Sequence, residues 1–275
     1  MTIKSLSLSK EDIEYLITLV DQAGAAIMEI YQDSNNYSMG QTAKTDHSPL
    51  TEADLAANRI LVGGLKRRWP AIPILSEEGA DSFGVDEEPT YYWAVDPLDG
   101  TKEFIKRNDE FTVNIALIYF GCPIMGLVLA PALESLYLGY KHLDKAALHI
   151  PTIAKKRRHG QWQDIGVAQG SLLDLSRPIQ IVASRSHPSV DLQHWLEKYP
   201  NHELIEIGSS LKFCLVAEGK ADLYPRMGPT CIWDTAAGHA VVLAAGGHVK
   251  DMNLLELTYP RPTKVINPYF LVTTE

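Results

Sequence analysis

The sequence predicts an α+β fold in two halves: residues 1–175 with an antiparallel sheet and packed helices, and a smaller α/β half over residues 176–275. Two observations carry this. Several short β-like segments follow one another from "IPILS" to "ESLYLGY" with no regular strand–helix alternation, whereas beyond "SLLDLSRP" strands and helices alternate.

Taken in order, the first helix covers Ser9 to Gln32, where Ile13, Leu16, Ile17, Val20, Ile27 and Ile30 recur at helical spacing. Ser9 and Asp12 form a weak capping box for it. A second helix opens near "PLTEADLAANRILVGGLKRRW", with Thr51 as cap and Leu55, Leu61 and Leu65 facing inward. The segments "IPILS", "YYWAV", "FTVNIALIYF", "IMGLVLA" and "ESLYLGY" then read as strands, with Gly121 to Pro123 as a hairpin link. The polar stretch from His142 to Asp164 reads as an excursion, and its basic run "KKRRH", Lys155 to His159, as a solvated loop. The second half runs strand "IQIVAS", helix "PSVDLQHWLEKY", strand "LIEI", helix "SLKFCLVAEG", short strand "ADLYP" and helix "DTAAGHAVVLAAGG".

Composition narrows the function. With 275 residues, 45% of them hydrophobic, the chain can bury a substantial core. A net charge of −9 argues against a general surface for nucleic-acid polymers or anionic membranes. Cys122, Cys214 and Cys231 are widely spaced, with no C-x-x-C, which fits neither a disulfide framework nor a zinc knuckle and points to a reduced, cytoplasmic setting. The N-terminal stretch lacks a signal-peptide core, and no segment has the apolar length of a transmembrane span; peripheral attachment at the cytoplasmic face of the inner membrane would leave no such trace. Walker, G-x-G-x-x-G and H-E-x-x-H patterns are all missing from the chain.

Carboxylates stand where apolar segments end: Glu77 and Glu78 after "IPILS", Asp96 and Asp99 after "YYWAV", and Asp234 at the opening of the last helix. Taken singly, each has an ordinary structural role, as a cap, a turn or a solvated bend. Taken together, acids beside buried floors need partners, and only Lys102 and Lys106 lie close by in sequence. A divalent ion would relieve the repulsion, and oxygen ligands favour a hard ion such as Mg²⁺. The spacing in "DPLDGT" does not fit an EF-hand, because Leu98 holds the third place and Arg107 the twelfth. Phosphatases with an aspartyl nucleophile carry two aspartates two residues apart, whereas Asp96 and Asp99 are three apart with Pro97 between them.

The motifs "WAVDPLDGTKEF", "PILSEEG" and "WDTAAGHAVVLAAGG", in this order, resemble the lithium-sensitive, magnesium-dependent phosphatases of the inositol monophosphatase superfamily. The stretches "RNDEFTVNIALI" and "GSSLKFCLVAEGKADLYPR" are similar to its 3'(2'),5'-bisphosphate nucleotidase branch. The resemblance implies a layered αβαβα sandwich and two or three Mg²⁺ ions on Glu77, Asp96, Asp99, Asp234 and the Leu98 carbonyl. It implies that Thr101, resting on Asp54, orients and deprotonates the attacking water, with Glu77 helping to hold it. Substrate contacts would come from Glu77, Leu98, Asp99, Gly100, Thr101 and Asp234, and from His187, Ser209, Lys212 and Arg226 toward a second phosphate.

What the resemblance implies is a small-molecule bisphosphonucleotide as substrate, with the 3'-phosphate removed from 3'-phosphoadenosine 5'-phosphate, and from its sulfated relative, by a monomer or homodimer. An inositol or sugar phosphate phosphatase is the first rival, because the metal motifs are shared. A non-catalytic nucleotide sensor is the second. His239 and His248 read as core or surface residues, since no metal-ligand spacing links them.

Overall fold

Reciprocal caps open the first two helices. Ser9 Oγ accepts from the Asp12 N–H while the Asp12 carboxylate accepts from the Ser9 N–H, so α1 (Lys10–Gln32) starts with a complete capping box. Thr51 and Asp54 repeat it at α2 (Glu52–Arg68). The computed structural model describes residues 8–33, 42–43, 49–81, 83, 88–141, 152–170, 176–185 and 190–275. Leu16, Val20 and Ile27 of α1 are buried, with Ile13, Ile17 and Ile30 packed partly buried beside them. In α2, Leu61 and Leu65 are buried, but Leu55 is exposed. Six residues separate Leu55 from Leu61, a rotation of about 240°, so Ala53 and Ala57 take the inward positions instead.

Short strands β1 (Thr42–Ala43) and β2 (Pro49–Leu50) pair antiparallel between these helices. The large sheet holds β3 (Ile74–Ser76), β4 (Gly79–Ala80), β5 (Tyr91–Asp99), β6 (Thr112–Tyr119), β7 (Cys122–Ala130), β8 (Ser135–Tyr140), β9 (Ile153–Arg158) and β10 (Gln161–Asp164), in the order β10-β9-β8-β7-β6-β5-β3-β4. One short helix, α3 (Thr101–Lys106), leaves the end of β5. The sheet is not wholly antiparallel as expected, because β3 and β5 run parallel. That pairing makes both strands end at one edge: Ser76 stands beside Val95, and the Glu77 N–H donates to the Val95 carbonyl. Glu77 and Asp96 therefore emerge side by side.

The basic run is also not a solvated loop. Residues 153–164 form the hairpin β9–β10, which extends the sheet. Alternation along β9 turns Lys156 inward, where Nζ lies 2.7 Å from Glu218 Oε2 with both side chains buried. Lys155 faces out and pairs with Asp164 on the surface. A sequence reading that weighs five basic residues together misses the single inward one.

The second sheet contains β11 (Ile179–Ser184), β12 (His202–Ile207), β13 (Leu223–Arg226), β14 (His248–Asp251) and β15 (Phe270–Thr273), in the order β12-β11-β13-β15-β14. β11 pairs in parallel with β12 and β13, while β15 runs antiparallel to β13 and β14. Helices α4 (Val190–Leu196), α5 (Leu211–Ala217) and α6 (Ile232–Ala244) complete the half. Strands β14 and β15 lie beyond the alternation legible in sequence; each is four residues long, too short to show a period.

Apolar contacts give the order of layers. α1 and α2 cover one face of the large sheet through Leu19, Leu61, Val113 and Leu127. Its other face shares one cluster with α5, α6 and the second sheet, joining Tyr92, Ala94 and Val128 to Phe213, Val241 and Phe270. Trp195 and Leu196 of α4 pack outside the second sheet against Ile181 and Leu223. The result is the αβαβα sandwich, with the two halves of the chain sharing a core. α6 sits unusually close to the sheet at Gly126 and Gly139, which face each other across β7 and β8. A Cβ at Gly126 would lie 2.2 Å from the Ala237 carbonyl oxygen, and one at Gly139 2.4 Å from Val241 Cα.

Removing Lys156 from the buried Lys156–Glu218 pair leaves the buried carboxylate to be balanced by the more exposed Lys220. Lys156→Met is expected to lower stability in urea unfolding by about 3 kcal/mol, the lower end for buried pairs, because Tyr137 and Lys220 still reach Glu218. Lys155→Ala, which loses an exposed pair, should change it by less than about 1 kcal/mol.

Candidate active site

Asp96 and Asp99 reach the same face of β5 only because the strand bulges. Tyr92 and Ala94 point toward α6, and Trp93 and Val95 toward α1 and α2. A flat strand would send Asp96 to the α6 side and Asp99 to the opposite one. Instead the register shifts between Asp96, opposite Asn114, and Asp99, opposite Thr112, so three steps on β5 match two on β6. Leu98 is thereby turned into the α1–α2 core, and both aspartates face α6. The Leu98 N–H donates to Asp96 Oδ1 at 3.1 Å, closing the turn.

The third acid arrives with α6. Its N-cap is Cys231, and Asp234 is not the cap itself but stands at the third helical position, where its carboxylate accepts from the Cys231 N–H at 2.7 Å. One carboxylate oxygen from each of Asp96, Asp99 and Asp234 lies within 4.8 Å of the other two. Asp96 is buried, and burial, then the charges of Glu77, Asp99 and Asp234, hold its pKa well above the usual carboxylate range. Burial and Asp99 push Asp234 up to about 7, against the opposing Cys231 N–H and Arg226. Burial also raises Asp99, opposed by Lys212 and by the Ser210 hydroxyl. Three acids held this close form an all-oxygen donor group suited to a hard divalent ion.

Thr101 begins α3, after Gly100 in the left-handed region (φ 88°). The Gly100 conformation aims the Thr101 hydroxyl back over the turn, 3.5 Å from Asp54 Oδ1 and 3.4 Å from the Leu98 carbonyl oxygen. Asp54 is buried and already committed through its other oxygen, Oδ2, to the N–H and hydroxyl of Thr51. The capping box of α2 thus fixes the carboxylate that Thr101 meets.

Glu77, Asp99, Gly100, Thr101 and Asp234 line a cleft of about 260 Å³. Ser209, Lys212 and Arg226 line it too. Lys212 is buried, its Nζ 2.5 Å from the Ser209 carbonyl oxygen. Burial lowers its pKa to about 8, with Asp99 opposing and Arg226 reinforcing the shift. Arg226 donates from Nη2 to the Pro229 carbonyl at 2.8 Å, while its buried Nε and the buried Ser209 Oγ have no partner among the described residues. His187 lies outside the described residues. His239 is buried in the core with Nδ1 3.0 Å from the Tyr259 hydroxyl, and burial depresses its pKa to about 3.

Matched to known families, residues 9–270 fit the inositol monophosphatase family. The chain belongs to the inositol monophosphatase family. Within that family it is 45% identical to the 3'(2'),5'-bisphosphate nucleotidase CysQ of Salmonella typhimurium, over 95% of this chain and 99% of the relative. The CysQ nucleotidase of Haemophilus influenzae is 31% identical, over 97% of this chain and 94% of its own. Among solved structures, CysQ from Bacteroides thetaiotaomicron, a bacterial member of the family, superposes with a TM-score of 0.78 at 38% identity, covering 97% of this chain and 98% of that one. An inositol monophosphatase from Thermotoga maritima, 22% identical over 96% of this chain and 92% of its own, shares the fold with a TM-score of 0.73.

Family motifs do not by themselves point to every polar group at the cleft. Thr112, Asn114, Glu103, Ser210 and Tyr224 all stand there or support it, and sequence reasoning passed over them. A signal existed for the first two. Thr112 and Asn114 are the only polar side chains in the strand "TVNIALIY" apart from its terminal tyrosine, and both lie on the face turned to α6.

Asp96→Asn removes one member of a mutually repelling buried group. It is expected to stabilise the metal-free protein by on the order of 1 kcal/mol and, with the donor group one acid short, to weaken the gain in thermal midpoint expected of the wild type on adding a divalent ion. Scanning calorimetry with and without Mg²⁺ checks both.

Proposed function

We propose that the protein is a Mg²⁺-dependent 3'(2'),5'-bisphosphate nucleotidase that hydrolyses 3'-phosphoadenosine 5'-phosphate, and its sulfated relative 3'-phosphoadenylyl sulfate, at the 3'-phosphate. The observation that carries the reading is the presence in one cleft of two opposite charge groups, the acids Glu77, Asp99 and Asp234 and the cations Lys212 and Arg226. A single phosphate held through metal ions needs the first group alone. A ligand with a second phosphate also needs the other. The similarity to relatives named bisphosphate nucleotidase supports the same choice.

In this reading Glu77, Asp96, Asp99, Asp234 and the Leu98 carbonyl hold two or three Mg²⁺ ions. Bound there, the metal supplies Lewis-acid stabilisation of charge developing on the attacking and leaving oxygens. The remaining work belongs to the chain. Thr101 donates its hydroxyl proton toward Asp54 Oδ1, which leaves an Oγ1 lone pair to accept a proton from the attacking water. Asp54 stays oriented because Thr51 holds its other oxygen. Glu77, which lines the same cleft, holds the same water. Water oxygen bonds to the 3'-phosphorus as the bond from phosphorus to O3' breaks, the ribose oxygen takes up a proton, and AMP and phosphate leave. Ser209, Lys212 and Arg226 meet the 5'-phosphate, with His187 joining them, and Gly100 keeps the floor of the cleft low. The setting is the cytoplasm, in turnover of the by-product of sulfate activation.

Phosphate release from 3'-phosphoadenosine 5'-phosphate is expected with Mg²⁺ and lost on chelation, at a kcat/KM well above that for inositol 1-phosphate. A preference for the inositol ester would replace this reading with a sugar-phosphate phosphatase, and tight nucleotide binding without release would replace it with a sensor. Asp99→Asn should cut kcat by at least about a hundredfold with an unchanged circular-dichroism spectrum. In Lys212→Ala the KM for the bisphosphate should rise by about tenfold or more, with a smaller effect on a nucleoside 3'-monophosphate.

A further inference from the structure

The acidic cluster and the cation-bearing loop meet at one hydroxyl. Ser210 Oγ lies 2.8 Å from Asp99 Oδ2 and 2.7 Å from the Asp234 carbonyl oxygen, and it accepts from Asn114 Nδ2 at 2.9 Å. A serine hydroxyl carries one proton and two lone pairs, so the donor from Asn114 leaves that proton to be shared between the two acidic residues. Ser210 and Asn114 are both buried. Without this hydroxyl, the other side-chain donors to Asp99 Oδ2 are Thr112 at 3.4 Å and Asn114 at 3.5 Å, both long for hydrogen bonds.

Asn114 is a costly residue to keep in this strand. Its two N–H donors go to Ser210 and Asp99, but its buried Oδ1 has no partner among the described residues. An apolar side chain of similar size would avoid that orphan, so what the amide contributes is its donors. Glu110 pins the same loop from its other end: Oε2 accepts from the Gly208 N–H at 2.8 Å, and Arg185 braces the carboxylate at 3.1 and 2.9 Å. Between these two ties stands Ser209 with φ at 49°, a conformation that needs outside support in a residue with a Cβ.

We propose that Ser210, oriented by Asn114, is a positioning residue that holds Asp99 for the divalent ion and fixes the Ser209–Lys212 turn that meets the second phosphate. One hydroxyl then links metal affinity to nucleotide affinity. The inference rests on the metal reading of the acidic cluster, and the experiment separates the two.

Mn²⁺ is titrated calorimetrically into the metal-free wild type, Ser210→Ala, Asn114→Leu and the double variant, with no nucleotide present. Ser210→Ala is expected to bind Mn²⁺ about tenfold more weakly, with a thermal midpoint within about 2 °C of wild type. Asn114→Leu should weaken binding in the same direction, and the double variant should lose less than the sum of the two, because both act through one chain of hydrogen bonds. In turnover, the half-saturating Mg²⁺ and the KM for the bisphosphate should each rise by a larger factor than kcat falls. Wild-type Mn²⁺ affinity in Ser210→Ala overturns the proposal, as does a poorly folded Ser210→Ala beside a folded Asn114→Leu of wild-type affinity. A wild type that binds no Mn²⁺ removes the metal reading and this inference together.

Discussion

Carboxylate repulsion at the seam between the two sheets is the constraint around which the molecule is arranged. Asp96 and Asp99 share one bulged strand end, but Asp234 comes from a helix start far along the chain, and nothing local brings it to them. Burial raises the protonation affinity of each, and the neighbouring acids add to it for Asp96 and Asp234, a cost the fold sustains because the elements carrying them are fixed by apolar packing. Gly126 and Gly139 let α6 lie nearly against the sheet backbone, and Tyr92, Ala94, Val128 and Val241 close the space around it. Interior packing of that density moves as a unit, so the acids cannot drift apart without disturbing the shared core.

The same economy governs Asp54. Its carboxylate is a helix-capping group on one oxygen and the neighbour of the Thr101 hydroxyl on the other. A group that secures a helix start is held more rigidly than a side chain on a loop, so the Thr101 hydroxyl meets a carboxylate of fixed position. Lys212 shows the complementary case. It is buried near the acids, and its position depends on a turn pinned by Glu110 and Asn114, both of which belong to the first half of the chain.

Much of the fold was legible because its signals are local. The α1 stripe, the Thr51 cap, the apolar runs of β5 to β8 and the strand–helix alternation after residue 176 each depend on residues within one element. Readings failed where a neighbour distant in sequence decided the outcome. Lys156 is buried because Glu218 waits for it, 62 positions away; Leu55 is a different case, decided within its own helix, where Ala53 and Ala57 take the inward positions. Strand β15 exists because β13 and β14 flank it, not because its four residues announce a period.

For the site, sequence alone determined the chemical inventory: acids after "PILS", within "DPLDGT" and near the start of the last helix, a threonine beside one pair, and a lysine and an arginine in the second half. It also determined the family, through motifs dense enough to be specific. Tertiary structure alone decided that these groups share one cleft. The bulge at Pro97 and Leu98 turned Asp99 to the α6 face, the parallel pairing of β3 with β5 put Glu77 beside Asp96, and the glycine groove under α6 brought Asp234 within reach. Spacing along a chain fixes which residues can be neighbours on one element. Convergence of three elements is fixed only by the packing that holds them, and that is where the chemistry of this protein is set.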